Sequence, residues 1–183
     1  MSDFEQAIKA ILKHEGGWVD DPDDPGGETN FGISMLIIRR EGITPAQCGV
    51  KDFSPGALKR MPVSAAKDIY RKLFWDKYGY SKIEDQTVAT KVFDCGVNCG
   101  PSRSHAMIQK AVNTIDAEAL TPLTVDGILG PATLAAINSI EPAMLVQNMA
   151  DEMRAYYLSI IAKKPRLAKF KNNWLKRAKW GVA

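Results

Sequence analysis

The chain has 183 residues, 45% of them hydrophobic and 25% charged, with 24 Lys and Arg against 21 Asp and Glu. Those figures suit one globular domain, or a domain with a small appendage, and exclude disordered, collagenous and disulfide-framework classes. The net charge of +3 conceals a division. Ala155–Ala183 carries eight basic residues and no acid, leaving residues 1–154 with 16 basic and 21 acidic side chains, a balance of −5.

No apolar run approaches the ~20 residues that span a bilayer. Asp3 and Glu5 precede any basic residue, the reverse of a secretory signal. The expectation is synthesis in the cytoplasm, with export dependent on a separately encoded route. Three cysteines, an odd number, argue against a disulfide framework. Cys95 and Cys99 share a helix face with His105 nearby, but a fourth zinc ligand is missing, so small buried thiols are the better reading.

Ser2 and Glu5 have the spacing of a capping box for a first helix, in which Phe4, Ala7, Ile8, Ile11 and Leu12 recur at helical period. Gly16-Gly17 stops it. Residues 18–33 lose that period and predict a long-looped β-hairpin, pairing Trp18-Val19-Asp20 with Thr29-Asn30-Phe31, before a helix capped by Ser34. Ser54-Pro55 and Pro62–Ser64 read as helix starts, the second leading into Ile69, Tyr70, Leu73 and Phe74. Further helices are predicted from about Gln86 to Asn98 and from Pro101-Ser102 onward. Residues 116–130 form the internal boundary, ending in Asp126-Gly127 and Gly130-Pro131. Helices at 131–139 and 142–163 follow. Pro165 then breaks the chain before a last segment carrying Leu167, Phe170, Trp174 and Leu175. The fold class is mainly α, with one small hairpin.

Residues 4, 8, 11 and 15 stack on one helix face, so Glu15 ends the apolar stripe of the first helix. A carboxyl at the edge of a core, at a helix C-terminus, is disfavoured as an anion, which is the condition a general acid near neutral pH requires. Six acids (Glu15, Asp20, Asp21, Asp23, Asp24, Glu28) and no Lys or Arg lie between Glu15 and Glu28. Paired carboxylates in different environments are the equipment of glycoside hydrolysis. Two plainer readings stand beside it. One is a solvated acidic turn. The other is a calcium loop, whose alternate-residue ligand pattern Pro22 and Pro25 interrupt.

The run from His14-Glu15-Gly16-Gly17-Trp18 through Asp20-Asp21-Pro22-Asp23-Asp24-Pro25-Gly26-Gly27 to Thr29-Asn30-Phe31-Gly32-Ile33 resembles the signature of the glycoside hydrolase family 108 muramidases. These are phage endolysins and bacterial relatives with a lysozyme-like fold. The resemblance continues through Phe93–Pro101 and the peptidoglycan-binding-like Val125–Thr133. It implies a lysozyme-like catalytic region over 1–115 and a peptidoglycan-binding-like helical region with a basic tail over 116–183. It places the catalytic glutamate on Glu15. Related phage lysozymes space Glu, Asp and Thr by nine and then six residues. Asp24 is nine after Glu15, but Thr29 is only five after Asp24. Asp24 and Thr29 are preferred for polarising the attacking water, with Asp20 as competitor.

Trp18 reads either as a stacking surface for a sugar or as a core plug. Asp94 and Asn98 share a face of a helix that, by the resemblance, backs the cleft, and Asn98 reads either as a ligand for an N-acetyl group or as a backbone cap. Tyr70 and Trp75 read as packing. The Asp126–Pro131 turn either contacts glycan or staples the fold. The tail (Lys163, Lys164, Arg166, Lys169, Lys171, Lys176, Arg177, Lys179, with Phe170, Trp174 and Trp180) suits anionic lipid, lipopolysaccharide or wall polymer, or else docks on the body. No nucleic-acid-binding motif accompanies that charge.

The expectation is therefore a monomeric muramidase that needs no cofactor or metal and acts on peptidoglycan strands after release through a separately encoded pore. A lytic transglycosylase and a non-enzymatic wall- or membrane-binding protein are the alternatives.

Overall fold

The computed structural model describes residues 1–14, 17–20, 27–115 and 122–182, with the backbone alone for His14. Glu15, Asp24, the intervening Asp21 and Asp23, and the start of the expected 116–130 boundary lie outside the described residues. The chain divides into two compact units, Ile8–Lys77 and Met1–Ala7 with Tyr78–Ala183. It is mainly α, with one small antiparallel hairpin among the described residues, as the hydrophobic periods predict.

Helix α1 (Phe4–His14) presents the apolar stripe that its period demands, with Phe4, Ala7, Ile8 and Ile11 buried. The expected capping box is not formed. Asp3 is the cap instead, its Oδ1 accepting from the Gln6 N–H at 2.8 Å, while Ser2 donates its hydroxyl to the Tyr80 carbonyl. A carboxylate one residue nearer the helix competes better for the free N–H groups than the Ser2 hydroxyl.

In the Ile8–Lys77 unit, β1 (Thr29–Asn30) pairs antiparallel with β2 (Ile33–Ser34), Thr29 opposite Ser34 and Asn30 opposite Ile33. The expected partner, Trp18–Asp20, meets the sheet at one bridge, where Val19 and Thr29 exchange both backbone hydrogen bonds at 2.8 Å. The sheet proper closes through a two-residue turn with Phe31 at φ 49° and Gly32 at φ 75°. Both central residues at positive φ is the hairpin geometry that matches strand twist, normally built from Asn-Gly. Phe is a poor residue for that backbone, which is why the turn was not legible. Tyr70 holds it by donating its hydroxyl to the Phe31 carbonyl at 2.8 Å, and the buried Asn30 amide donates to the Leu58 carbonyl at 2.7 Å.

Ser34 caps α2 (Met35–Arg40) as expected, accepting from the Ile37 N–H. Ser54-Pro55 does not begin an α-helix. Gly56 sits at φ 78°, and the chain forms a turn followed by a short 3-10 segment, Leu58–Arg60. Helix α3 (Val63–Tyr70) runs directly into a π-helical stretch, Arg71–Asp76, that buries Trp75.

The other unit packs α4 (Gln86–Cys99), α5 (Pro101–Ile115), α6 (Pro131–Ser139), α7 (Pro142–Lys163) and α8 (Lys171–Lys179). Its core includes Phe4, Tyr80, Phe93, Ile108, Leu145 and Met149. Proline at the first position of α6 and α7 fits their unpaired N-terminal N–H groups.

Candidate active site

In the Ile8–Lys77 unit α1 ends at His14, and the chain is described again from Gly17, with Trp18 and Val19 following. Val19 is tied to Thr29. The Thr29 hydroxyl donates to the Gly27 carbonyl at 3.1 Å. With its proton engaged there, Oγ1 keeps its lone pairs as acceptors, the polarity needed to hold a water by its hydrogens. Asp20 is exposed beside this bridge.

Glu28 organises the segment, although in the sequence it is only one acid among six. It is 8% exposed and accepts three hydrogen bonds. Its Oε1 takes the Trp18 indole N–H at 2.8 Å and the Lys59 backbone N–H at 3.1 Å, and its Oε2 takes the Gly56 N–H at 3.1 Å. A buried carboxylate is tolerated when donors surround it, and here they do. Trp18 is consequently a fixed ring, 37% exposed, with Lys59 Nζ 4.9 Å from its centroid. No sequence spacing marks Gly56 or Lys59 as partners of Glu28, because they lie 28 and 31 residues away.

The remaining candidates belong to the other unit. Asp94 is 2% exposed and accepts from Arg177 through both oxygens, Oδ2 from Nε at 3.0 Å and Oδ1 from Nη2 at 2.9 Å. Its carboxylate is thus engaged inside this unit. Asn98 is exposed. Its Oδ1 accepts from the Tyr157 hydroxyl at 2.7 Å, and its amide N–H2 has no partner among the described residues. The neighbouring thiols differ. Cys95 is pushed up by its hydrogen bond to Cys99 and by burial, whereas the Cys95 hydrogen bond holds Cys99 down. His105 is buried with Nδ1 3.1 Å from the Gly127 carbonyl and Nε2 3.1 Å from the Tyr80 hydroxyl. Since a carbonyl only accepts, Nδ1 carries the proton and Nε2 accepts from Tyr80. Burial, partly offset by the Gly127 hydrogen bond, lowers the ring's affinity for a second proton.

The Asp126–Pro131 turn has a stapling role. Gln109 donates to Asp126 Oδ1, the Ile128 carbonyl and Thr133 Oγ1, and accepts from the Gly127 N–H, at 2.8–3.2 Å. Gly127 lies at φ 74°, and a Cβ there would fall 2.6 Å from the Ser102 carbonyl oxygen.

The basic tail docks within its unit while keeping most of its charge outside. Trp174 stacks between Tyr157 and Phe170, with centroids 5.2 and 5.6 Å apart, and buried Lys91 donates to the carbonyls of Ala178 and Trp180 at 2.7 Å each. Lys163, Lys164, Arg166, Lys169, Lys171, Lys176 and Lys179 are exposed, and Arg177 is the inward member. A cavity of about 880 Å3 lies between α7 and α8, its rim carrying Arg154, Lys176 and Lys179 against Asp151.

The sequence model of the family described as Glycosyl hydrolase 108 matches residues 8–100, about half of the chain. The chain belongs to that family. A second model, described as Predicted Peptidoglycan domain, matches residues 103–179. This glycosyl hydrolase is similar to a solved structure titled Brucella abortus SagA, with 26% identity, a TM-score of 0.65 and 97% of each chain covered. No curated protein matches it. The catalytic and wall-binding matches together make the chain a peptidoglycan hydrolase, with peptidoglycan as its partner.

Proposed function

We propose that the protein is an N-acetylmuramidase that cleaves the β-1,4 bond between N-acetylmuramic acid and N-acetylglucosamine. Membership of the glycosyl hydrolase 108 family over residues 8–100, the span that contains the acidic corner, carries this reading. Glu15 protonates the leaving oxygen. A water held by Thr29 together with Asp24, or with Asp20 in its place, attacks the anomeric carbon. The Thr29 hydroxyl, whose proton goes to the Gly27 carbonyl, supports that part as an acceptor for the water. Trp18 offers its exposed indole to a sugar. Asp94, paired with Arg177, acts by holding α8.

The seven exposed cations of the tail, with the basic rim of the α7–α8 cavity, favour an anionic envelope surface as a further partner. We further propose a monomer with catalytic and wall-binding regions over 1–115 and 116–183. It would reach the wall from the cytoplasm in the manner of an endolysin, through a separately encoded pore.

Glu15→Gln keeps the shape and removes the acid. A fall in wall hydrolysis of about 100-fold or more is expected, and undiminished lysis overturns the mechanism. The mass of the released muropeptides checks the reaction class. Hydrolysis adds one water per cleavage, whereas anhydromuramoyl ends would establish a lytic transglycosylase.

A further inference from the structure

Glu28 also positions a cation, Lys59, beside Trp18. The Lys59 backbone is fixed by Glu28, and the Lys59 side chain turns over the indole that the same carboxylate fixes, with Nζ 4.9 Å from the ring centroid. Among the described residues no carboxylate forms a salt bridge with Lys59. Its charge is held on a π face rather than neutralised, and it stays exposed. The sequence from Glu15 to Glu28 holds six acids and no base, a composition that disfavours an anionic polymer, and Lys59 is the cation that the Glu28–Trp18 brace supplies among the described residues.

The two sugars of the proposed substrate differ in one charged respect. A muramoyl residue carries a lactyl arm that ends in a carboxylate when stripped of peptide. When the arm is amidated, the nearest carboxylate is that of the acidic residue in the stem peptide. N-acetylglucosamine has neither. We propose that Lys59 is a specificity-determining residue, pairing with a carboxylate on the muramoyl side chain while Trp18 packs against the sugar. This rests on the muramidase reading for the substrate class. The Glu28 brace fixes ring and cation together, so that one sugar can meet both, which a freely rotating lysine would not ensure.

The test uses end-labelled glycan strands in three forms: peptide-stripped with free lactyl carboxylates, the same strands with those carboxylates converted to carboxamides, and strands with intact stem peptides. Binding is followed by anisotropy and KM by initial rates, for wild type, Lys59→Arg and Lys59→Met. Wild type and Lys59→Arg should prefer a carboxylate form over the carboxamide form by roughly fivefold more than Lys59→Met does, the effect of one partly exposed charge pair. Comparing variants removes the contribution of the tail. The form that shows the difference identifies the lactyl or the stem-peptide carboxylate as the source. An equal preference in wild type and Lys59→Met overturns the proposal. Lys59-dependent binding without cleavage supports it while overturning the muramidase reading.

Discussion

Asp94 on α4 and Arg177 on α8 are joined by two parallel hydrogen bonds, although 83 residues separate them in the chain. Their side chains are 2% and 11% exposed, so the pair is nearly dry, and removing one partner leaves an uncompensated charge. Asp94→Asn should lower unfolding stability by about 3 kcal/mol, measured by denaturant titration, with little change in KM for glycan. A raised KM at unchanged stability would move Asp94 to the substrate.

Lys91 gives a pH dependence of definite sign. Burial pushes its amine down from 10.5 to about 8, with the nearby Asp94 charge pulling back. Between those values the unfolded chain holds the extra proton. Stability should therefore rise with pH across that window, by at most about 1.4 kcal/mol per pH unit, and this contribution is lost as pH falls through 8. Thermal denaturation from pH 7 to 10.5 should show the slope in wild type. Lys91→Met should remove it while destabilising the protein at pH 7, because the Ala178 and Trp180 carbonyls lose their donor.

Gly127→Ala should be among the costly small substitutions. The new methyl meets the Ser102 backbone in a conformation that already disfavours a side chain, so a loss of more than about 1 kcal/mol is expected. Ser102→Ala should rescue it at most in part, since it removes the Oγ that a Cβ would meet at 2.5 Å but leaves the main-chain carbonyl oxygen at 2.6 Å.

Tyr70→Phe removes the hydroxyl that holds the Phe31 carbonyl, and should cost about 1 kcal/mol. Hydrogen exchange should show faster opening at Thr29–Ser34. Unchanged protection there would mean that Asn30 alone, through the Leu58 carbonyl, secures the turn.

These cases show what the sequence made legible. Regular period and proline placement marked α6 and α7 to the residue, and the Ser34 cap was visible because its chemistry is local. The Phe31-Gly32 turn was not visible, since an aromatic replaces the small polar residue that normally announces such a backbone. Glu28 stood in plain view among the acids, but its partners come from a turn about 30 residues away. Likewise Asp94 looked like a polar residue on a cleft-facing helix because its cation lies near the other end of the chain. Pattern reveals what a residue does to its neighbours in sequence, and long-range pairing remains outside it.

The tail divides its labour between residues. Anchorage rests on Trp174, Arg177 and the carbonyls of Ala178 and Trp180, while seven other cations project outward. Retention of the terminal helix and its surface potential are therefore separately adjustable. The outer lysines can be exchanged, added or reversed in sign while the helix keeps its seat, so binding to differently charged envelopes can be retuned without redesigning the scaffold.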